Sequence, residues 1–181
     1  MSGMRVVVTG TAADGSEIVA SDAVLLEMTV ALMPGAGFVG LWGSDTATAL
    51  PNAGARPAAP GWFPPATGYR VEAITLPPDS THPPANLDLP AAMAEIERKL
   101  PGLIGHMDPK HPGMHRTDTV DFNYVVSGRC VVELASGAKI ELGPGDSLVM
   151  NGARHAWHVP YPEPCRLLTF SVGASRTVAP A

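Results

Sequence analysis

The sequence predicts an all-β fold in a single domain, on three observations. Gly and Pro contribute 19 residues each to a chain of 181, a density of helix breakers that excludes a helix bundle or coiled coil. Short apolar runs recur at regular intervals between Gly- and Pro-centred turns, the pattern of closed or double-sheet β architectures. Only one stretch carries helical spacing. The length suits one domain, and an apolar content of 45% against 16% charged residues is too apolar for a disordered chain. The net charge of −5 is spread along the chain rather than gathered, so no surface for neutralising phosphates is expected and nucleic acid is not an expected partner.

Taken in order, Arg5–Val8, Val24–Leu32 and Phe38–Trp42 predict strands, parted by Asp14-Gly15 and Pro34-Gly35-Ala36-Gly37. Val6-Val7-Val8-Thr9-Gly10 has the look of a dinucleotide-binding turn, but residues 16–26 carry no amphipathic helical stripe and the glycine spacing is wrong. Residues 51–68 hold Pro51, Pro57, Pro60, Pro64 and Pro65 and predict a long loop, with Trp62 and Phe63 folding back on the body. Tyr69–Leu76 alternates as a strand and stops at Pro77-Pro78.

The helix is expected over about 90–100. Asp88 caps it, Pro90 lies in its first turn, and Met93, Ile96 and Leu100 share a face. Arg98 and Lys99 suit its C-terminal dipole, and Pro101-Gly102 ends it. Strands then follow at 118–127, 129–135, 138–142, 147–150, 155–159 and 165–172, turned at Ser127-Gly128, Ser136-Gly137, Gly143-Pro144-Gly145-Asp146 and Asn151-Gly152. Cys130 and Cys165 stand alone in apolar surroundings, which predicts buried, reduced thiols. The N-terminal apolar run is too short for a signal peptide and no run nears the ~20 residues of a membrane span, so a cytoplasmic protein with no membrane partner is expected.

The chemistry concentrates in Gly113–Gly128. If Arg116–Val126 is extended, His115, Thr117, Thr119, Asp121 and Asn123 fall on one face. A face of one imidazole, two hydroxyls, a carboxylate and an amide cannot be an ordinary core, so it lines solvent or a polar cavity. In Gly143–Trp157 the last strand puts His155, Trp157 and Val159 on one face and His158 on the other. In a small barrel the two strands can turn these faces to one cavity. His111 reads as a loop histidine in solvent, His158 as surface or interface, and Arg116 and Arg154 as solvated arginines. Tyr124 reads as packing outside the barrel. Phe122 and Trp157 read as core or pocket wall, with Trp157 able to stack on a planar ligand.

Together these segments resemble the cupin superfamily. The first motif is met by His115 and by the closing Tyr124-Val125-Val126-Ser127-Gly128. The second is met by Pro144-Gly145-Asp146, the strand Ser147–Met150, the turn at Gly152, and His155. The string His115-Arg116-Thr117-Asp118-Thr119-Val120-Asp121 is similar to that of a single-cupin group with an N-terminal extension. The resemblance implies a double-stranded β-helix, or jelly-roll, barrel core at 113–173, preceded by an extension at 1–112 of extra strands, the Pro-rich loop and the helix. It also implies a homodimer.

Cupins usually hold a divalent metal through two histidines and a glutamate of the first motif and one histidine of the second. By that correspondence His115 and His155 match histidine ligands, Thr117 stands where the second histidine would be, and Asp121 stands for the glutamate. The resemblance therefore implies His115, Asp121 and His155 as ligands for Fe, Mn, Ni or Zn. The other reading of the same residues is a hydrogen-bonded polar pocket without metal. The expected function is a divalent-metal-dependent lyase, isomerase or dehydratase on a small oxygenated organic molecule. Asp121 and His155 would be catalytic, and Thr117, Thr119, Asn123 and Trp157 would bind substrate. A cupin dioxygenase and a metal-free ligand-binding protein are the alternatives.

Overall fold

Residues 3–177 are described by a computed structural model; Met1 and Ser2, at the head of the N-terminal apolar run, lie outside them. The strands are β1 (Gly3–Thr11), β2 (Glu17–Leu26), β3 (Met28–Val30), β4 (Met33–Ser44), β5 (Tyr69–Leu76), β6 (Thr119–Ser127), β7 (Cys130–Leu134), β8 (Lys139–Leu142), β9 (Ser147–Asn151), β10 (His155–His158) and β11 (Cys165–Gly173). Helix α1 spans Leu89–Lys99, and a 3₁₀ turn follows at Ile104–His106. The fold is the all-β jelly roll the motifs imply. A six-stranded sheet in the order β3-β4-β5-β11-β6-β9 faces a three-stranded sheet, β10-β7-β8. The N-terminal stretch divides, because β3–β5 complete the larger sheet while β1 and β2 pair only with each other.

Strict alternation on β6 and β11 sets the barrel interior. Thr119, Asp121, Asn123 and Val125 point inward from β6, and Leu167, Thr169 and Ser171 from β11. The antiparallel register lines them up across strands: Arg70, Ser171 and Asp121 form one row, and Glu72, Thr169 and Asn123 the next. A slip of one residue would turn every one of these polar groups outward. Below them the interior is apolar, with Val125, Cys130, Val132, Leu142, Met150, Val159, Cys165 and Leu167 in one buried cluster. One half of the barrel is thus a conventional core and the other half a polar chamber.

Helix α1 roofs the barrel near that chamber. Asp88 accepts from the Ala91 amide at 3.0 Å, Pro90 sits in the first turn, and Leu100 closes the C-terminus. Ile96, Leu100 and Leu103 pack with Val30, Ala36, Phe38 and Trp62. Trp62 meets Phe38 edge to face at 5.7 Å, so the Pro-rich loop does fold back on the body. Gly128 turns between β6 and β7 with φ of +72°, and a Cβ there would lie 2.2 Å from the Pro164 carbonyl oxygen, so no other residue fits.

Four details differ from the sequence reading, the first being that Pro34-Gly35-Ala36-Gly37, expected as a turn, lies inside β4. The strand expected at Val24–Leu32 is two, interrupted at Glu27, and β2 begins earlier, at Glu17. The Asp14-Gly15 turn pairs Thr11 with Glu17, and the Arg5–Asp22 ion pair at 2.7 Å bridges the hairpin; the outward polar residues of β2 hide its strand character in the sequence. Phe122 is neither core nor pocket wall: its parity is opposite to Asp121, and it lies 46% exposed on the outer face. Within the helix Ala92 is the buried residue and Met93 only half-buried. Cys130 and Cys165 are free and fully buried, as expected, but the fold sets their thiols side by side, and that contact with burial pushes the Cys130 thiol up. Among the described residues no helix is long and apolar enough to cross a membrane.

Candidate functional site

A cavity of about 220 Å³ opens in the polar half of the barrel. Glu72, Asp121, Asn123, Thr169 and Ser171 form its wall on the larger sheet, and His115, Thr117, His155 and Trp157 belong to the opposite side. Phe38, Trp62, Phe63, Leu103 and Met107 close the top. The volume lies below the ~300–1,000 Å³ of drug-sized pockets and suits a small molecule.

His115 reaches the cavity from a short bridge rather than a long strand. Its backbone pairs with His155, with the His115 amide donating to the His155 carbonyl at 2.8 Å and the reverse bond at 2.9 Å. Met107 pairs on its other side. The loop from Asp108 to Met114 is held by the Asp108 amide on the Met114 carbonyl at 2.8 Å, and the Asp108 carboxylate takes His111, Arg154 and the Lys110 amide. His111 and Arg154 therefore brace the rim of the site from outside. His158 faces away, toward Glu133 at 3.4 Å.

The two imidazoles stack obliquely, with centroids 4.3 Å apart and planes at 53°. Each Nδ1 lies against a backbone carbonyl, Gly113 at 3.0 Å for His115 and Ala153 at 2.8 Å for His155. A carbonyl only accepts, so Nδ1 carries the proton and a neutral ring keeps its Nε2 lone pair free. Burial, reinforced by the neighbouring His155, pushes His115 down to about 4, and burial lowers His155 as well. Both rings are neutral at pH 7.

The carboxyl side of the cavity runs in the opposite sense. Burial raises Asp121, while the Thr119 and Ser171 hydroxyls and His115 pull it back. Its Oδ1 is buried without a hydrogen-bond partner. Glu72 is 3% exposed, and burial with the nearby Asp121 pushes it up to about 8, against a smaller opposing pull from Arg70. Glu72 therefore holds its proton at pH 7. Arg70 is turned elsewhere, onto Asp45 at 2.5 Å and the carbonyls of Ser44, Gly61 and Tyr69.

Of the residues named from sequence, His115, Thr117, Asp121, Asn123, His155 and Trp157 all reach the one cavity. Trp157 meets the His155 ring edge-on at 6.0 Å. Asn123 accepts from the Thr169 hydroxyl at 2.9 Å. Thr119 is buried but is not in the wall; its hydroxyl lies 2.7 Å from that of Thr117 and supports it from behind. Glu72 was not foreseen. It sits in a strand of the N-terminal stretch, far from the motifs, and its one signal is a charged residue in the middle of the apolar YRVEAITL run.

The ligand set implied by the resemblance does not close. Among the described residues no three His, Cys, Asp or Glu side chains gather as a metal-binding group. His115 and His155 supply two adjacent imidazoles, but Asp121 does not complete a three-donor cage with them, and Thr117 supplies a hydroxyl where a third imidazole would be needed.

Comparison with known proteins agrees with the barrel. The Cupin domain family model matches residues 104–171. Over 54 residues the chain is 41% identical to oryzines biosynthesis cluster protein J of Aspergillus oryzae, a match covering 28% of this chain and 30% of that protein's length. Among solved structures, a putative ethanolamine utilization protein Q from Salmonella typhimurium is 10% identical over 97% of this chain and 100% of that one, with a TM-score of 0.43. KdgF from Halomonas sp. is 15% identical over 81% of this chain and 87% of that one, with a TM-score of 0.42. The segment 104–171, which carries the motif histidines and strands β6 to β10, is thus a cupin domain.

Proposed function

We propose that the cavity binds a small oxygenated organic molecule and moves a proton on it, in a lyase, isomerase or dehydratase reaction. The observation that supports this reading is the His115–His155 pair, two neutral rings whose Nδ1 atoms are committed to carbonyls and whose Nε2 lone pairs are free, in one cavity with protonatable carboxyls. Groups whose surroundings push their pKa values apart are how one site runs acid and base chemistry near pH 7.

In the proposed reaction the Nε2 of His155 takes a proton from the carbon next to a substrate carbonyl. The C–H electrons move onto the carbonyl oxygen, and the Asp121 carboxyl donates a hydrogen bond to that oxygen. For an α-hydroxy carbonyl substrate, Asp121 passes its proton to that oxygen, the α-hydroxyl gives its own proton back to Asp121, and His155 returns the first proton to the former carbonyl carbon, which completes an aldose–ketose isomerisation. Alternatively, the electrons expel a β-hydroxyl, which leaves as water with the proton from Asp121. Thr117, with Thr119 behind it, and Asn123 hold substrate oxygens, and Trp157 supplies a flat apolar wall beside His155. No step is routed through a metal, because among the described residues the donors do not form a cage for one.

The test is proton NMR in D₂O over a panel of small hydroxyketones, aldoses and amino ketones. The expected result is solvent deuterium entering at the carbon next to the carbonyl of at least one compound, and loss of that exchange in His155→Ala. Binding without exchange would instead make the protein a ligand-binding cupin.

We also infer that the protein is a homodimer. The outer face of β11, β6 and β9 carries Val120, Phe122, Tyr124, Val126, Val149, Leu168, Phe170 and Val172, all exposed, with Arg166 at its margin. The β1–β2 hairpin covers the neighbouring outer face of β4 and β5 through Met4, Val6 and Leu25, and leaves this one bare. Three strands and seven residues of length give a face on the order of 350 Å², about half of the ~800 Å² each partner gives to a stable interface. The hairpin's own exposed Val7, Val19, Val24 and Leu26 can supply the remainder. A two-fold that lays each hairpin against the partner's bare sheet covers both surfaces at once.

A further inference from the structure

We propose that the ligand of this cavity carries a protonated amine, received between the Glu72 and Asp121 carboxyls and the aromatic walls. The inference rests on the reading of the cavity as a small-molecule site and names the class of molecule that fits it.

The cavity is lined by two carboxyls and no lysine or arginine. Neither carboxyl is fully used by the protein. Glu72 is 3% exposed and lines the chamber, and among the described residues Asp121 Oδ1 is buried without a hydrogen-bond partner. A buried acceptor such as Asp121 Oδ1 is costly to leave unbonded, so the arrangement points to a donor that arrives with the ligand. The nearest guanidinium, Arg70, is spent on Asp45 and on carbonyls outside the chamber.

An ammonium group fits on three counts. It brings three N–H donors and no acceptor, matching carboxyl oxygens that accept whether or not the other oxygen is protonated. Its charge is attracted to the carboxyl oxygens, which carry negative charge density whichever of them holds a proton. Trp62, Phe63 and Trp157 stand in the lining among aliphatic side chains, and ring faces attract cations. A carboxylate or phosphate ligand meets the reverse: two like-charged or acceptor groups, two neutral imidazoles and no cation. A neutral alcohol could use the same acceptors but would gain nothing from the charge.

The test uses three probes of equal length on the full-length protein: butylammonium, 1-butanol and butyrate, each titrated by calorimetry at pH 7. Butylammonium is expected to bind at least about 10-fold tighter than 1-butanol, with butyrate weakest. Glu72→Gln and Asp121→Asn should each remove most of that preference while leaving 1-butanol binding within about 2-fold. Circular dichroism on the variants checks that the fold is intact, and Glu163→Gln, an exposed carboxyl outside the cavity, is the control variant expected to keep the preference. Butyrate binding as tightly as butylammonium, no butylammonium binding, or a preference that survives in a protein carrying both Glu72→Gln and Asp121→Asn would each overturn the proposal. If the ammonium preference fails while the deuterium exchange holds, only the substrate class is wrong; if the exchange fails while ammonium binds, the catalytic reading falls alone.

Discussion

His115 and His155 exchange both backbone hydrogen bonds of a narrow pair, and their rings face each other at 4.3 Å with each Nδ1 on a carbonyl two residues back. The backbone pairing fixes the separation and the carbonyls fix the tautomer. Burial lowers the proton affinity of both rings, and for His115 the neighbouring His155 lowers it further.

That coupling has a consequence for acid stability. His115 sits at about 4 in the folded protein against 6.5 in an unfolded chain. Below pH 6.5 the unfolded state binds the extra proton first, so stability is full above 6.5 and is lost as pH falls toward 4. The loss is on the order of 3 kcal/mol. Urea midpoints measured from pH 7 to pH 4 should fall in the wild type and fall less in His115→Gln; parallel curves would contradict the assignment.

Glu72 acts at the other end of the pH range. Its folded value of about 8 lies above the 4.5 of a free carboxyl. Stability tied to its neutral form is therefore present below 4.5 and lost as pH rises from 4.5 through 8. Glu72→Gln keeps the neutral shape and cannot ionise, so it should be more stable than wild type at pH 8 and equal to it at pH 4.5. Thermal melts at the two pH values measure this, and a variant less stable at pH 8 would show that Glu72 is charged in the fold.

With two imidazoles and, among the described residues, no third donor closing on them, divalent metals should bind weakly. Protein purified without added salts should carry less than about a tenth of an equivalent of Fe, Mn, Ni or Zn. Elemental analysis reading close to one equivalent, lost in His115→Ala, would show that the side chains rearrange into a metal cage.

The bare outer face predicts an oligomeric state. Light scattering after size exclusion should give the mass of two chains, and Phe122→Lys should give one, since Phe122 is already exposed and its replacement leaves the core untouched. A wild-type monomer, or a dimer unmoved by Phe122→Lys together with Phe170→Lys, would contradict the interface.

Local pattern carried much of this far into the structure, for identifiable reasons. The alternation of His115 to Asn123 identified the polar wall because an extended chain must divide its side chains between two faces. Asp88, Pro90 and Pro101-Gly102 bounded the helix because capping is local chemistry. Glu72 was hidden because its role depends on β5 lying beside β11, a pairing about a hundred residues apart in sequence that no local pattern encodes. The failure of Asp121 to close with the histidines is likewise a matter of side-chain convergence across the barrel, which motif spacing does not specify.

The most direct measurement is a long-range proton–nitrogen NMR spectrum of the histidine rings, followed from pH 8 to pH 4. The account predicts that at pH 7 both His115 and His155 show a protonated Nδ1 and an unprotonated Nε2, with His115 titrating near 4. Rings protonated on Nε2, or imidazolium signals at pH 7, would leave no base facing the cavity and would contradict the proposed proton transfer.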